Sequence, residues 1–357
     1  MKIKFFIVMI LLPLWTCCRE KKEYLVGAEY FAGWWAEKPN KWTLRDGSDW
    51  RLSYPERMPL NGQDNSQEVM DKDILSASKY GVDFFSILWY YDLGQGQTPS
   101  KINRALEWFV NSPHAGKMKF MIEMVNHKPY YVGTDEQWNE MAKLCAKYMQ
   151  HPSYLRVDGR AVFKIHGGGA FFVDQDQNPI KAQQVLDTLR ARIARYGGRE
   201  VLIALGLTQN VTVKSSPLKQ LNFDCSMQYA DVTDLPNEQK EYPYTILTEH
   251  ARRDYLARTD DCVPFVPFVM TGWAPRAWGD PRADFTMPTR KEWRKALVVA
   301  KEALDILPNM GFPRKDGSLQ KALTIYAWNE YGEGGFLAPC EGKGYMKLEE
   351  VKKVFGK

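Results

Sequence analysis

Two glutamates three residues apart, Glu330 and Glu333, stand among aromatics and glycines in AWNEYGEGG (327–335), directly after the apolar run ALTIY. Cleavage of a glycosidic bond commonly uses two carboxyl groups, one protonated to assist the leaving oxygen and one ionised to act on the anomeric side. A strand end followed by a bend turns both side chains into one mouth, and Gly332, Gly334 and Gly335 permit the bend while leaving the backbone open to a sugar. The bland alternative is a solvated loop carrying two ordinary surface acids.

Holding such a pair is the task of the rest of the chain. Short β-branched or aromatic runs alternate with stretches of helical period from Tyr24 onward: YLVGAEY (24–30), DFFSILWY (83–90), KFMIEMV (119–125), AVFKIHG (161–167), VLIALGL (201–207), FDCSMQY (223–229), FVPFVMTG (265–272) and ALTIYAW (322–328). Alternation of this kind predicts parallel strands joined by crossover helices. Thr134 with Gln137 and Thr289 with Glu292 have capping-box spacing, Gly81 and Gly197 follow helical runs, and Asp158-Gly159 reads as a tight turn into the fourth strand. The fifth and sixth crossovers are the least defined, because SSPLKQLN is short. GAEYFAGWW has no GxGxxG after the first strand, which argues against an open dinucleotide-binding sheet. The expected fold class is therefore α/β, a single (β/α)8 TIM barrel over 24–357, with its site at the carboxyl ends of the strands.

Those ends are rich in aromatics: Trp34 and Trp35 after strand one, Trp89, Tyr90 and Tyr91 at strand two, Trp273 after strand seven, Trp328 and Tyr331 at strand eight. Strands seven, eight, one and two are neighbours in a closed barrel, so these rings are expected to line one continuous wall. Sugar rings have apolar C–H faces and polar rims, which suit such a wall when amides and carboxylates border it. Glu29, Glu123, Asn126, His127, His166 and Asn329 lie at the same level and complete the candidate substrate-binding set. Each could equally be a satisfied buried group, but Glu123 sits inside the apolar run FMIEMV, where a lone carboxylate is costly unless paired or functional.

YAWNEYGEGGFLAP resembles the WNEW-x-EG-x-x-x-EP signature of glycoside hydrolase family 99 and the WbsX-like proteins, grouped with family 71 as a (β/α)8 superfamily. YLRVDGRAVFKIHG and YGVDFFSILWYYD are similar to the fourth- and second-strand segments of the same proteins. The resemblance implies that Glu330 is a base acting on the substrate's own 2-hydroxyl, which attacks the anomeric carbon to give a 1,2-anhydro sugar. Glu333 is then the acid for the leaving oxygen and afterwards the base for water, with retention of configuration and an endo-acting preference for α-mannose-type glycans. Gly332 stands where family 99 usually has His, and Ala338 where the signature has Glu, which bears on the substrate more than on the reaction. Burial and a negative Glu330 would raise the pKa of Glu333; a donor such as Asn329, Tyr331 or Lys164 would keep Glu330 ionised.

The first residues, MKIKFFIVMILLPLWTCC, join two lysines to an apolar stretch too short to span a bilayer comfortably, as in an export signal. Leu14 lies three residues before Cys17, so residues 1–17 resemble a signal peptide with a bacterial lipobox and Cys17 as the lipidated residue; Thr16 is atypical and leaves Cys18 open. The expected location is an exported, membrane-anchored lipoprotein, with an oligosaccharide or polysaccharide as partner. The net charge of +5 is spread along the chain without a basic run, which excludes nucleic acid as the expected partner. No cofactor is expected: the five histidines and the scattered Cys145, Cys225, Cys262 and Cys340 lack metal-ligand spacing. Two other readings stay open, a non-catalytic glycan-binding lipoprotein on the same barrel and a WbsX-like glycosyltransferase.

Overall fold

The computed structural model describes residues 22–91, 100–207, 212–230, 232 and 235–356. The expected signal segment, with Cys17 and Cys18, lies outside the described residues. Eight parallel strands form the barrel: β1 (Leu25–Tyr30), β2 (Phe84–Tyr90), β3 (Lys119–Val125), β4 (Arg160–Ile165), β5 (Val201–Leu207), β6 (Cys225–Gln228), β7 (Phe268–Met270) and β8 (Ala322–Tyr326). The order is β6-β5-β4-β3-β2-β1-β8-β7, every pair parallel. A parallel bridge between Ser226 and Phe265 brings the two ends together and closes the ring. Closure removes the sheet edges that an open sheet would leave unpaired.

Every expected strand forms, because strands covered on both faces read as unbroken apolar runs. The seventh is shorter than its apolar run, since Pro264 and Pro267 have no N–H to give to a ladder. The fourth is preceded by a small hairpin in which Arg156–Val157 pairs with Arg160–Ala161. Asp158 and Gly159 both adopt positive φ in the turn, as the two-residue connection requires.

Helices α1 (Gln67–Lys79), α2 (Arg104–Asn111), α3 (Asp135–Met149), α4 (Gly168–Asp174), α5 (Pro179–Ile193), α6 (Thr245–Ala257), α7 (Arg290–Ile306) and α8 (Met346–Phe355) pack outside. Both expected capping boxes close, at Thr134 with Gln137 and at Thr289 with Glu292. The fifth crossover departs from the regular pattern: among the described residues, β5 and β6 are joined by two short 3-10 turns, Val213–Ser215 and Pro217–Gln220. Cys145, Cys225 and Cys340 are buried free thiols, and Cys262 is an exposed one.

Candidate active site

Directly after β8 the chain makes a short hairpin, with Asn329–Glu330 paired to Gly335–Phe336. Glu330 is therefore on a strand residue and Glu333 at the tip, both at the carboxyl end of the barrel. Gly334 supplies the left-handed conformation of the bend at φ 70°. Gly332 is needed for space: a Cβ there would lie 1.9 Å from Nε1 of Trp278. The tip is pinned from behind by the buried Arg57, whose Nη1 donates to the carbonyls of Ala274 at 3.0 Å and Tyr331 at 3.2 Å. Below it, the buried Lys347 Nζ donates to the Phe336 carbonyl at 2.5 Å.

Each carboxylate is met by a tyrosine hydroxyl. Tyr229, at the end of β6, donates to Glu330 Oε1, and Tyr326, the last residue of β8, donates to Glu333 Oε2. The two rings pack edge to face, centroids 5.1 Å apart. Burial holds both phenols well above their ordinary range, with the nearby glutamates acting in the same direction, so they remain donors. Burial raises the Glu330 carboxyl to about 8; Glu333 pushes it the same way, while Tyr229 and Lys41 oppose. Burial raises Glu333 too, opposed by Tyr326, Arg282 and Lys41. Glu330 Oε2 is buried without a hydrogen-bond partner among the described residues.

Deeper in the barrel lies a second cluster. Lys164 Nζ on β4 sits 3.2 Å from Glu29 Oε1 on β1 and 2.7 Å from Glu123 Oε1 on β3. Contact between β1 and β4, three strands apart, is possible only across the interior. Ser86 Oγ donates to Glu123 Oε2 at 2.8 Å, and His166 Nδ1 lies 2.6 Å from Glu123 Oε1. Burial, reinforced by Glu123, holds the Glu29 carboxyl well above the usual range. Burial would raise Glu123 as well, but Lys164, the hydrogen bond with Glu29 and His166 outweigh it and keep that carboxyl low. One proton, one carboxylate and one ammonium thus balance in a fully buried group, the condition under which buried charge is tolerated. The His166 ring reaches the upper layer, 5.0 Å from that of Tyr229.

The remaining expected residues divide by environment. Asn329 and Asn126 act as backbone clasps. Asn329 accepts from Phe31 N–H and donates to its carbonyl, both at 2.8 Å, and Asn126 does the same to Gly167 at 2.8 and 2.9 Å. Asn103 clasps Tyr90 in the same way at 2.8 and 2.7 Å, so three loop beginnings are tied down by one device. Lys164, Asn329 and Tyr331 were candidate donors to Glu330; the observed donor is Tyr229.

The continuous aromatic wall is replaced by a packed cluster. Trp34 lies 4.2 Å from Trp42, 5.4 Å from Tyr331 and 5.9 Å from Trp278, centroid to centroid, because the long β1–α1 loop folds over and fills the mouth on that side. Trp34 is fully buried and donates its indole N–H to the Asn329 carbonyl at 2.8 Å, so it braces the hairpin. Trp328 is also fully buried, its ring 5.1 Å from Phe85. Tyr91 turns away to Glu140 on α3 at 2.6 Å, with Trp89 beside it. Trp273 packs 6.3 Å from Tyr326 beneath the Arg282 guanidinium. Tyr90 meets Tyr130 at 4.9 Å and the exposed His127 at 6.5 Å, and Trp35 stays half-buried. Tyr229, Tyr326, Lys41 and Arg282 were missed; the signal available for the tyrosines was their position at strand ends.

Comparison with known proteins adds the context. The chain is similar in structure to the GH99 endo-alpha-mannosidase from Bacteroides thetaiotaomicron bound to bis-tris-propane, with TM-score 0.62 and 14% identity over 92% of this chain and 95% of that one. A second structure of that enzyme aligns at TM-score 0.60 with 13% identity over the same shares. The exo-beta-1,4-mannosidase Op5Man5 from Opitutaceae bacterium strain TAV5 aligns at TM-score 0.51 with 12% identity, over 93% of this chain and 59% of that one. At such identities the likeness establishes the (β/α)8 barrel as the fold. Among curated protein sequences none matches the chain. A family model described as "Glycosyltransferase WbsX" matches residues 62–351, and the protein accordingly belongs to the WbsX family, on a barrel similar to that of family 99.

Proposed function

We propose that the protein is an exported, retaining glycoside hydrolase, endo-acting on an α-mannose-type glycan. Glu330 takes the proton of the substrate's 2-hydroxyl while that oxygen bonds to the anomeric carbon and the glycosidic C–O bond breaks. Glu333 gives its proton to the leaving oxygen, and a 1,2-anhydro sugar results. Glu333 then takes a proton from water as the water bonds to the anomeric carbon and the C1–O2 bond of the three-membered ring breaks, while Glu330 returns its proton to the 2-oxygen; the original configuration and both glutamates are restored. The observation that carries this reading is the pair itself. Two buried carboxyls share one hairpin at the barrel's carboxyl end, each with one oxygen held by a tyrosine, and Glu330 keeps Oε2 without a hydrogen-bond partner among the described residues. α-Mannosides fit because their 2-hydroxyl is trans to the leaving group. That substrate class also follows the endo-alpha-mannosidases to which the chain is similar.

A second reading exchanges the roles of the glutamates. It is favoured by one observation: burial raises Glu330 to about 8, which suits a group that must keep a proton near neutrality. Arg282 opposes the rise at Glu333, whereas Lys41 opposes it at both glutamates. Export and lipid attachment at Cys17 complete the proposal and rest on the first eighteen residues alone.

The test is incubation of the purified mature protein with α-mannan, β-mannan, rhamnan and galactan fragments, products being identified by mass spectrometry. Release of internal fragments from α-mannan is the expected result. No release from any glycan, together with sugar transfer from a nucleotide donor, would replace the hydrolase with the glycosyltransferase that the family's description names.

A further inference from the structure

The rim of the barrel carries a pocket separate from the glutamate hairpin. It lies between the β1–α1 loop and the start of α2, and its volume is about 210 Å³. Trp35 and Trp108 supply two of its walls, with Asp64, Asn65, Lys101 and Arg104 between them. Trp34 also lines it, the residue whose indole N–H braces the hairpin through Asn329. The pocket is therefore one tryptophan away from the glutamates.

We propose that this pocket is a distal sugar-binding subsite that takes a single neutral hexose unit of a glycan chain. The size limits it to one ring, since sites for larger organic ligands run to roughly 300–1,000 Å³. The aromatic component fits a sugar's C–H face: Trp34, Trp42 and Trp50 are packed on one another, whereas Trp35 and Trp108 have no ring neighbour among the described residues. Lys101 Nζ lies over the Trp35 ring, 5.9 Å from its centroid, and pairs with Glu37 at 3.2 Å, while the Trp35 indole N–H donates to the Pro39 carbonyl at 2.8 Å, so the ring is held in place at the pocket. Polar atoms for the hydroxyl rim are present in both senses. Asp64 Oδ1 is held by Trp42 Nε1 at 2.8 Å, which orients the carboxylate, and Arg104 is exposed with no ion-pair partner among the described residues.

Charge decides between neutral and acidic units. Glu37 and Asp64 balance Lys101 and Arg104 around the pocket, so no net positive field selects a uronate or a sulfated sugar. A carboxylate and a guanidinium lining one pocket instead supply an acceptor and a donor for sugar hydroxyls. The subsite adds to the carbohydrate reading of the mouth and rests on it. A second point of attachment for the glycan would suit endo action.

Calorimetric titration tests this apart from turnover, using α-manno-oligosaccharides of two to six units, with free mannose and glucuronate as further probes. The variants are Arg104→Ala, Asp64→Asn and Trp35→Ala, each first checked for an unchanged thermal melt; Arg104 is exposed, so its variant remains informative if Trp35→Ala fails to fold. The expected result is a dissociation constant raised about 10-fold or more for the longest fragments and unchanged for the shortest. Equal weakening at every length, no weakening at any length, or tighter binding of glucuronate than of mannose would overturn the subsite. Length-dependent binding without cleavage of any glycan would leave the subsite standing and remove the hydrolase reading instead.

Discussion

Glu330→Gln should stabilise the protein at alkaline pH relative to its effect at acidic pH. Burial raises the Glu330 carboxyl from 4.5 to about 8, so the folded chain binds this proton more tightly than the unfolded chain. A raised folded-state pKa gives stability that is present below the unfolded value and lost as pH climbs through the folded one. The window therefore runs from 4.5 to about 8. At about 1.4 kcal/mol per unit, the wild type should lose roughly 4 kcal/mol through this group between about pH 5 and about pH 9. Glutamine has no proton to lose there, and its carbonyl oxygen keeps the hydrogen bond from Tyr229. Its amide nitrogen falls where Oε2 has no partner, which costs about 1–3 kcal/mol, but equally at both pH values. Lys347, which burial lowers to about 7, titrates in both proteins and cancels in the comparison. Urea unfolding followed by tryptophan fluorescence should show the variant gaining on the wild type by up to roughly 4 kcal/mol from acid to alkali. An unchanged gap would refute the reasoning, because Glu330 would then not be the buried, titrating group described.

Tyr229→Phe removes the hydroxyl that lowers the Glu330 pKa, so the acid limb of the pH–rate profile should move to higher pH, with activity at neutrality reduced about 10-fold or more. A profile that keeps its acid limb would detach Tyr229 from Glu330. Gly332→Ala drives a Cβ against Trp278 and should destabilise by about 1–3 kcal/mol, and pairing it with Trp278→Ala should recover part of the loss in a double-mutant cycle. Strict additivity would show that the close approach is not what the glycine serves. Replacing Cys17 and Cys18 with alanine should release the protein from membrane fractions, and retention after both changes would remove the lipid anchor.

The barrel was legible because its signal is local. Each strand is an apolar run of strand length, and helix starts such as Thr134 and Thr289 announce themselves within four residues. The hairpin was legible in part: Gly334 bends the tip as its type suggests, but only the packed structure shows that Gly332 makes room for Trp278, some 50 residues earlier. The partners of the site were hidden for the same reason. Tyr229 meets Glu330 across 101 residues of sequence, and Glu29 meets Lys164 across 135, contacts set by strand register and barrel closure. Aromatic content was visible while its use was not, since nothing local distinguishes a ring that braces the hairpin, such as Trp34, from one that lines the rim pocket half-buried, such as Trp35.

The central claim is that Glu330 and Glu333 divide acid and base work on a glycoside. It is tested most directly by Glu333→Gln assayed on one natural glycan and on one glycoside of the same sugar with an activated leaving group. If Glu333 is the acid, activity on the glycan should fall about 100-fold or more, while the first step on the activated substrate is spared because its leaving group needs no proton. Glu330→Gln run alongside should impair both substrates. The reverse pattern would exchange the two roles, and full activity of both variants on both substrates would contradict the account.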